Sequence, residues 1–132
     1  MSEHLFKTIV VATDGSSTAA TAIAKGVELA SFAGGDVKLV GAFESTKRQA
    51  ELEAALATTA AELQAAGVNV ETFVRKGDPV DVVIETAEEL SADLIVVGSV
   101  GMQSAKRFFV GAIPDKISHH AECSVLVVRT TG

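Results

Sequence analysis

Five short apolar runs alternate along this chain with four longer amphipathic stretches, and this alternation restricts the fold more than any other feature. The apolar runs have the length and β-branched composition of buried strands, and the longer stretches carry apolar residues at helical spacing. Strands joined by helices require right-handed crossovers, which predicts a parallel α/β sheet with helices on both faces. The predicted strands cover residues 6–12, 37–43, 68–74, 94–97 and 124–128, and the predicted helices cover residues 16–33, about 45–66, 79–90 and 110–121.

Capping residues mark the ends of two of these helices. Ser16 is a suitable N-cap for the first helix, and Gly34 and Gly35 end it. Asp78 can cap the third helix, and Pro79 suits its first position. The first and fourth strands are the most uniformly apolar, so we expect them at the centre of the sheet.

Composition indicates one globular domain over residues 1–132, with 48% hydrophobic residues. No apolar run approaches the roughly 20 residues of a membrane span, and the first residues lack the pattern of a signal peptide. Cys123 is the single cysteine, so an internal disulfide is excluded and a reducing cytoplasm is expected. Its position before an apolar run favours a small buried residue over a reactive thiol.

Charge argues against a nucleic-acid partner. The formal net charge is −6, and no basic tract is longer than two residues. Trp and Tyr are absent, which leaves only Phe for stacking on bases. His119 and His120 are adjacent and point to different faces of a helix, so they cannot clamp one metal ion together.

A glycine pattern after the fourth strand predicts a phosphate site. Gly98 and Gly101 follow the strand directly, and Gly111 stands where the fourth helical pattern begins. Such glycines let backbone N–H groups approach a ligand, and a helix start adds donors and partial positive charge. Asp14 follows the first strand, so it faces the same crevice as Gly98 if the two strands are neighbours. Asp14 could bind ribose hydroxyls or only cap the turn into the first helix.

The sequence resembles the universal stress protein family, whose nucleotide-binding members carry Gly-x-x-Gly, nine residues and then Gly. Gly98, Gly101 and Gly111 stand at that spacing. The resemblance extends to three further blocks, in the family's order, namely residues 9–16, 77–79 and 124–128, with 92–98 leading into the glycines. It implies a Rossmann-like five-stranded sheet of order 3-2-1-4-5, a cytoplasmic homodimer and an adenine nucleotide in the crevice.

The resemblance also implies positions for the nucleotide. Residues after the first strand would border the adenosine, the end of the second strand would contact the base, and the glycine loop with the start of the fourth helix would meet the phosphates. The expected set is Ala12, Thr13, Asp14, Ala42, Val97, Gly98, Ser99, Gly101, Met102, Gly111, Ala112, Ile113 and Pro114.

Two positions depart from the family pattern. Ala112 and Pro114 stand where relatives carry hydroxyls, so this chain has fewer donors for phosphates. The resemblance therefore implies ATP, with or without Mg²⁺, or cyclic AMP, which carries one phosphate charge.

The expected task is binding rather than turnover, with at most slow ATP hydrolysis, because few groups could act as base or stabilise charge. The alternatives are a nucleotide-free dimeric interaction module and an enzyme that uses ATP.

Self-association is expected through strand 124–130. Its core, Ser124–Val128, should lie at a sheet edge, yet it is apolar on both faces and has no lysine or proline to protect it. Pairing with a two-fold related copy would cover that edge.

Overall fold

A computed structural model describes residues 5–99 and 112–130, which form a five-stranded parallel sheet with helices on both faces. The strand order is β3-β2-β1-β4-β5, so the predicted fold class and topology are confirmed. The elements in chain order are β1 (Thr8–Ala12), α1 (Ser17–Ala33), β2 (Asp36–Phe43), α2 (Thr46–Ala65), β3 (Val70–Lys76), α3 (Pro79–Glu89), β4 (Leu94–Gly98), α4 (Ala112–His120) and β5 (Ser124–Val128).

Burial explains the strand order. β1 is central and pairs with β2 on one side and β4 on the other, and Ile9, Val10 and Val11 are fully buried. One core packs α1 and α2 against one face of the sheet, and the other packs α3 and α4 against the opposite face. A strand covered on both faces gains from apolar side chains at every position, which is the pattern of β1 and β4.

Side-chain caps begin the first three helices. Ser16 Oγ accepts from the Ala19 amide at 3.2 Å, and Ser45 Oγ accepts from the Arg48 amide at 3.2 Å. Asp78 Oδ2 accepts from the Val80 amide at 3.1 Å and from the next amide at 3.3 Å. Because each helix follows the carboxyl end of a parallel strand, these helix starts gather at one edge of the sheet.

Two predicted strand starts lie two residues before the observed ones. β1 starts at Thr8 rather than residue 6, because Asp93 Oδ2 accepts from the Lys7 and Thr8 amides at 2.8 and 2.9 Å. β3 starts later than predicted, because the Val68 amide still donates to Leu63 O at 2.9 Å and completes the end of α2. The predicted start of the fourth helix at residue 110 lies outside the described residues.

In the described part of the chain, no helix is long and apolar enough to span a membrane.

Candidate functional site

A cavity of about 530 Å³ opens at the carboxyl edge of the sheet. Crevices at this edge are where open α/β sheets bind ligands. Its wall combines the ends of β1 and β2, the starts of α2 and α3, and the first turn of α4. The lining residues are Thr13, Asp14, Ala42, Phe43, Glu44, Ser45, Arg48, Gly77, Pro79 and Ile113.

The β1 side of the cavity presents a carboxylate on a fixed turn. The Thr13 amide donates to Val40 O at 2.9 Å, which continues the β1–β2 pairing beyond the strand. Thr13 Oγ1 accepts from the Gly15 amide at 3.0 Å, and Asp14 Oδ1 accepts from the Ser16 amide at 2.9 Å. No described residue donates to Asp14 Oδ2, so one carboxylate oxygen orients the turn while the other can accept from a ligand.

The β2 side of the cavity carries two charged side chains, Glu44 in the loop before α2 and Arg48 in the first turn of α2. Glu44 and Ser45 connect β2 to α2, and Arg48 follows within the first turn. An Arg48 Nη2 group donates to the main-chain carbonyl of Asp14, so the side chain crosses from α2 to the β1–α1 turn. Its Nη1 lies 3.5 Å from Glu51 Oε1. Arg48 is the one cationic side chain among the described lining residues.

The turn into α3 closes the third side. The Gly77 amide donates to Phe43 O at 2.9 Å, which ties the end of β3 to the end of β2. Gly77 has φ +142°, a conformation that L side chains rarely adopt, and an added Cβ would lie 3.1 Å from Val82 Cγ2. Pro79 then begins α3. The glycine therefore permits a sharp turn that brings Pro79 to the cavity wall.

Four of the predicted site residues lie together in this wall, namely Thr13, Asp14, Ala42 and Ile113. Four others are buried and are not among the described lining residues: Ala12, Val97, Ser99 and Pro114.

The remaining predicted residues belong to the glycine end of the site. Gly98 ends β4, half-buried and paired with Val128. Ala112 opens α4, and Gly101, Met102 and Gly111 lie outside the described residues.

Ser99 has a structural contact that the sequence did not reveal. Its amide donates to Val128 O at 2.7 Å, and its Oγ accepts from the Thr130 amide at 3.1 Å. These bonds extend the β4–β5 pairing past the strand ends. The hydroxyl thus has a partner within the protein.

Six lining residues were not predicted as site residues: Phe43, Glu44, Ser45, Arg48, Gly77 and Pro79. Gly77 and Pro79 could have been predicted, since they flank Asp78 at the start of α3, which the sequence analysis identified. In a parallel sheet every helix start lies at the carboxyl edge, so helix starts near the central strands are candidates for the cavity wall. The reach of Arg48 to Asp14 has no signal in the sequence.

The wall suits a polar, partly anionic ligand. Helix starts bring partial positive charge, and the Arg48 guanidinium adds a full charge. Asp14 and Glu44 offer acceptors for hydroxyl or amino groups. Among the described residues, no group of three or more His, Cys, Asp or Glu side chains could hold a metal ion.

A second cavity, of about 320 Å³, lies between the ends of α3 and α4, and Cys123 lines it with Ile84 and Ile95. Cys123 is half-buried, less covered than the sequence predicted. Burial raises the pKa of its thiol, with Asp93 adding a smaller upward effect against a lowering backbone hydrogen bond. A raised pKa leaves less thiolate, which agrees with the expectation of an unreactive cysteine.

Comparison with known proteins identifies the relatives of this chain. The sequence model of the Universal stress protein family matches residues 5–129. The universal stress protein Rv1636 of Mycobacterium tuberculosis is 32% identical, over 96% of this chain and 98% of its own length. The putative universal stress protein SH1215 of Staphylococcus haemolyticus is 33% identical, over 95% of this chain and 86% of its own length.

Solved structures agree with the fold. A universal stress protein crystallised in complex with cAMP superposes with a TM-score of 0.79 at 29% identity, covering 96% of this chain and 98% of its own. The universal stress protein of Archaeoglobus fulgidus in complex with dAMP gives a TM-score of 0.77, covering 95% of this chain and 99% of its own. At 20% identity, the second match bears on the fold alone.

Proposed function

The chain belongs to the universal stress protein family, and we propose that it binds an adenine nucleotide in the cavity at the carboxyl edge of its sheet. The observation that carries this proposal is the convergence of Thr13, Asp14 and Ala42 with the starts of two helices around one cavity. The relative crystallised with cAMP supports the ligand class. The role is binding in a stress or signalling response, and the cytoplasm is the proposed location.

Asp14 is proposed to hold the ribose. Its Oδ1 is occupied by the Ser16 amide, and its Oδ2 faces no described donor, so Oδ2 is available to a sugar hydroxyl. Ala42 offers main-chain groups to the base, because it ends β2 in the cavity wall. From the glycine spacing in the sequence, we propose that the phosphates bind at Gly98, Gly101 and Gly111 and at the start of α4.

The first test is the nucleotide content of the purified protein, measured by mass spectrometry after denaturation. Adenine nucleotide in the extract supports the proposal, and its identity distinguishes ATP from cyclic AMP. An empty protein is then titrated calorimetrically with 5′-AMP, cyclic AMP and ATP with Mg²⁺. Absence of binding to all three contradicts the proposal and favours a nucleotide-free interaction module.

A charge-removing variant tests the site itself. Asp14→Asn keeps an oxygen acceptor for the Ser16 amide but removes the carboxylate charge, so 5′-AMP should bind about tenfold more weakly. Asp36→Asn is the matched control, because Asp36 begins β2 at the opposite edge of the sheet. Equal affinities in Asp14→Asn and the wild-type protein would place the nucleotide elsewhere.

We further propose a homodimer through strand 124–130. β5 is an edge strand of the described sheet, with Leu126 38% exposed, and Phe32 on the neighbouring α1 is 90% exposed. A groove of about 540 Å³ runs between them. Glu28 and Arg129 border it with opposite charges, so two copies related by a two-fold axis can pair them reciprocally.

Sedimentation equilibrium tests this interface. Phe32→Ser should weaken the dimer about tenfold while leaving the monomer folded, because the side chain is almost fully exposed. Leu5→Ser, which removes another exposed apolar side chain, is the control. A wild-type protein that sediments as a monomer at tens of micromolar contradicts the proposal.

A further inference from the structure

The side chain of Arg48 joins two walls of the cavity. Its backbone belongs to the first turn of α2, and its Nη2 donates to the main-chain carbonyl of Asp14 in the β1–α1 turn. In the part of the chain that the structure describes, no other hydrogen bond links α2 to this turn. This polar link therefore ties the turn that carries Asp14 to the start of α2.

The guanidinium is held where it meets the turn. The Arg48 amide donates to Ser45 Oγ at 3.2 Å, which fixes the start of the helix from which the side chain extends. Its Nη1 lies 3.5 Å from Glu51 Oε1, further along α2. Because a guanidinium is planar, the contact of Nη1 with Glu51 also orients Nη2. Two contacts on one rigid group thus keep Nη2 directed at the Asp14 carbonyl.

The Asp14 carbonyl belongs to a peptide plane that is held at both of its polar groups. The carbonyl oxygen and the Gly15 N–H lie in one rigid plane. Arg48 donates to the oxygen, and the Gly15 amide donates to Thr13 Oγ1 at 3.0 Å. Gly15 has φ +81°, and a glycine leaves the flanking plane many orientations. The two hydrogen bonds therefore select one orientation of this plane.

The orientation of this plane sets the direction of the Asp14 carboxylate. Asp14 Oδ1 accepts from the Ser16 amide at 2.9 Å, in a side-chain turn that closes on the residue two positions ahead. The position of that amide relative to Asp14 follows from the peptide plane between them. With the plane fixed, Oδ1 stays on the amide and Oδ2 stays available to a ligand. Without the Arg48 contact, the plane can rotate and the carboxylate samples other directions.

We propose that Arg48 is a positioning residue for ribose binding, because it holds the peptide plane from which the Asp14 carboxylate is directed. The inference rests on the proposed nucleotide site and adds how its sugar contact is kept in place. Arg48 acts through the main chain of Asp14 and not on the ligand. Its contribution to affinity therefore requires both the ribose hydroxyls and the Asp14 carboxylate.

Two ligands that differ only in the sugar hydroxyls test this role by calorimetry. 5′-AMP has both hydroxyls and 2′,3′-dideoxy-AMP has neither, so a direct attraction between the Arg48 charge and the phosphate cancels in the comparison. Arg48→Met removes the donors and keeps most of the apolar stem, and Arg48→Lys keeps one charged donor group. Lys47→Met is the matched control, because Lys47 is an exposed cation in the same turn of α2. Circular dichroism verifies that each variant is folded.

The wild-type protein should prefer 5′-AMP to 2′,3′-dideoxy-AMP. Arg48→Met should lose about tenfold in affinity for 5′-AMP and stay within about twofold for 2′,3′-dideoxy-AMP. Arg48→Lys should recover part of the loss, and Lys47→Met should match the wild-type protein. A merely structural role would lower both affinities alike. Equal losses for the two ligands, or no loss, would therefore overturn the proposal while leaving the nucleotide site in place.

An Asp14→Ala background shows whether the effect passes through the carboxylate. There, Arg48→Met should change the affinity for 5′-AMP by less than about twofold. A loss of about tenfold that persists in this background would mean that Arg48 contacts the ligand directly, which overturns the positioning role. A wild-type protein that binds the two ligands equally overturns the sugar contact of Asp14 together with the role of Arg48. A wild-type protein that binds neither ligand overturns the nucleotide site as well.

Discussion

Leu52 packs α2 closely over Gly41 of the sheet, and a double-mutant cycle can measure this packing. Leu52 is fully buried, and its Cδ2 would lie 2.8 Å from a Cβ added at Gly41 in β2. Its Cδ1 would lie 3.6 Å from a Cβ added at Gly15. The side chain thus fills the space that a Cβ at Gly41 would need, whereas a Cβ at Gly15 would meet it at ordinary van der Waals distance.

The magnitudes follow from these distances. Leu52→Ala removes three buried carbon atoms and should lower the free energy of unfolding by about 2–5 kcal/mol. Gly41→Ala should cost about 1–3 kcal/mol, because the new methyl group overlaps Leu52 and also lies 3.2 Å from Thr13 O. In the double variant the overlap with Leu52 is gone and the methyl group occupies part of the space left, so the combined loss should be smaller than the sum by at least about 1 kcal/mol.

Urea denaturation followed by circular dichroism gives all four free energies. Val83→Ala combined with Gly41→Ala is the control, because Val83 is buried in the core on the opposite face of the sheet. That pair should be additive within about 0.5 kcal/mol. If the losses for Gly41→Ala and Leu52→Ala also added within about 0.5 kcal/mol, the argument that their contact positions α2 would be refuted.

Three further predictions concern single residues. Asp78→Ala removes the acceptor for two amides at the start of α3 and should lower the free energy of unfolding by about 0.5–2 kcal/mol, measured by urea denaturation; an unchanged midpoint would contradict this capping role. Because burial raises its pKa, Cys123 should alkylate more slowly at pH 8 than an unstructured cysteine peptide, and its contribution to the free energy of unfolding should be constant below the pKa of the unfolded thiol and fall as pH rises above it; alkylation at the peptide's rate would contradict this. Ala112→Ser should shift relative affinity about fivefold from cyclic AMP towards ATP in competition titrations, by adding one donor at the position where relatives carry a hydroxyl; a shift towards cyclic AMP would contradict the sequence alignment of this position.

Local patterns made most of the fold predictable. The caps Ser16 and Asp78 accept hydrogen bonds from amides two or three residues further along the chain, so their role can be predicted from the local sequence. The continuous apolar character of residues 94–97 reflects burial on both faces, which places β4 next to the centre. The sequence did not predict the late start of β3, because an apolar residue such as Val68 suits a strand as well as the turn after a helix. The hydrogen bond from its amide to Leu63 O places it in the turn that follows α2.

The site was less predictable, because its wall is assembled from segments distant in sequence. Asp14 and Ala42 could be placed from the ends of their strands, since parallel strands share a carboxyl edge. Arg48 could not, because helical spacing gives its face on α2 but not the reach of its guanidinium to the β1–α1 turn. The burial of Pro114 likewise depends on how α4 packs, which the sequence does not specify.

Amide chemical-shift mapping during titration with cyclic AMP and 5′-AMP tests the central claim most directly, because it locates the nucleotide on the chain. We predict saturable shifts at the amides of Asp14, Ala42 and Gly77. The amides around Cys123 and Phe32, which belong to the other two cavities, should stay unchanged. Shifts centred on either of those cavities, or none at about 1 mM ligand, would contradict a nucleotide site at the carboxyl edge of the sheet.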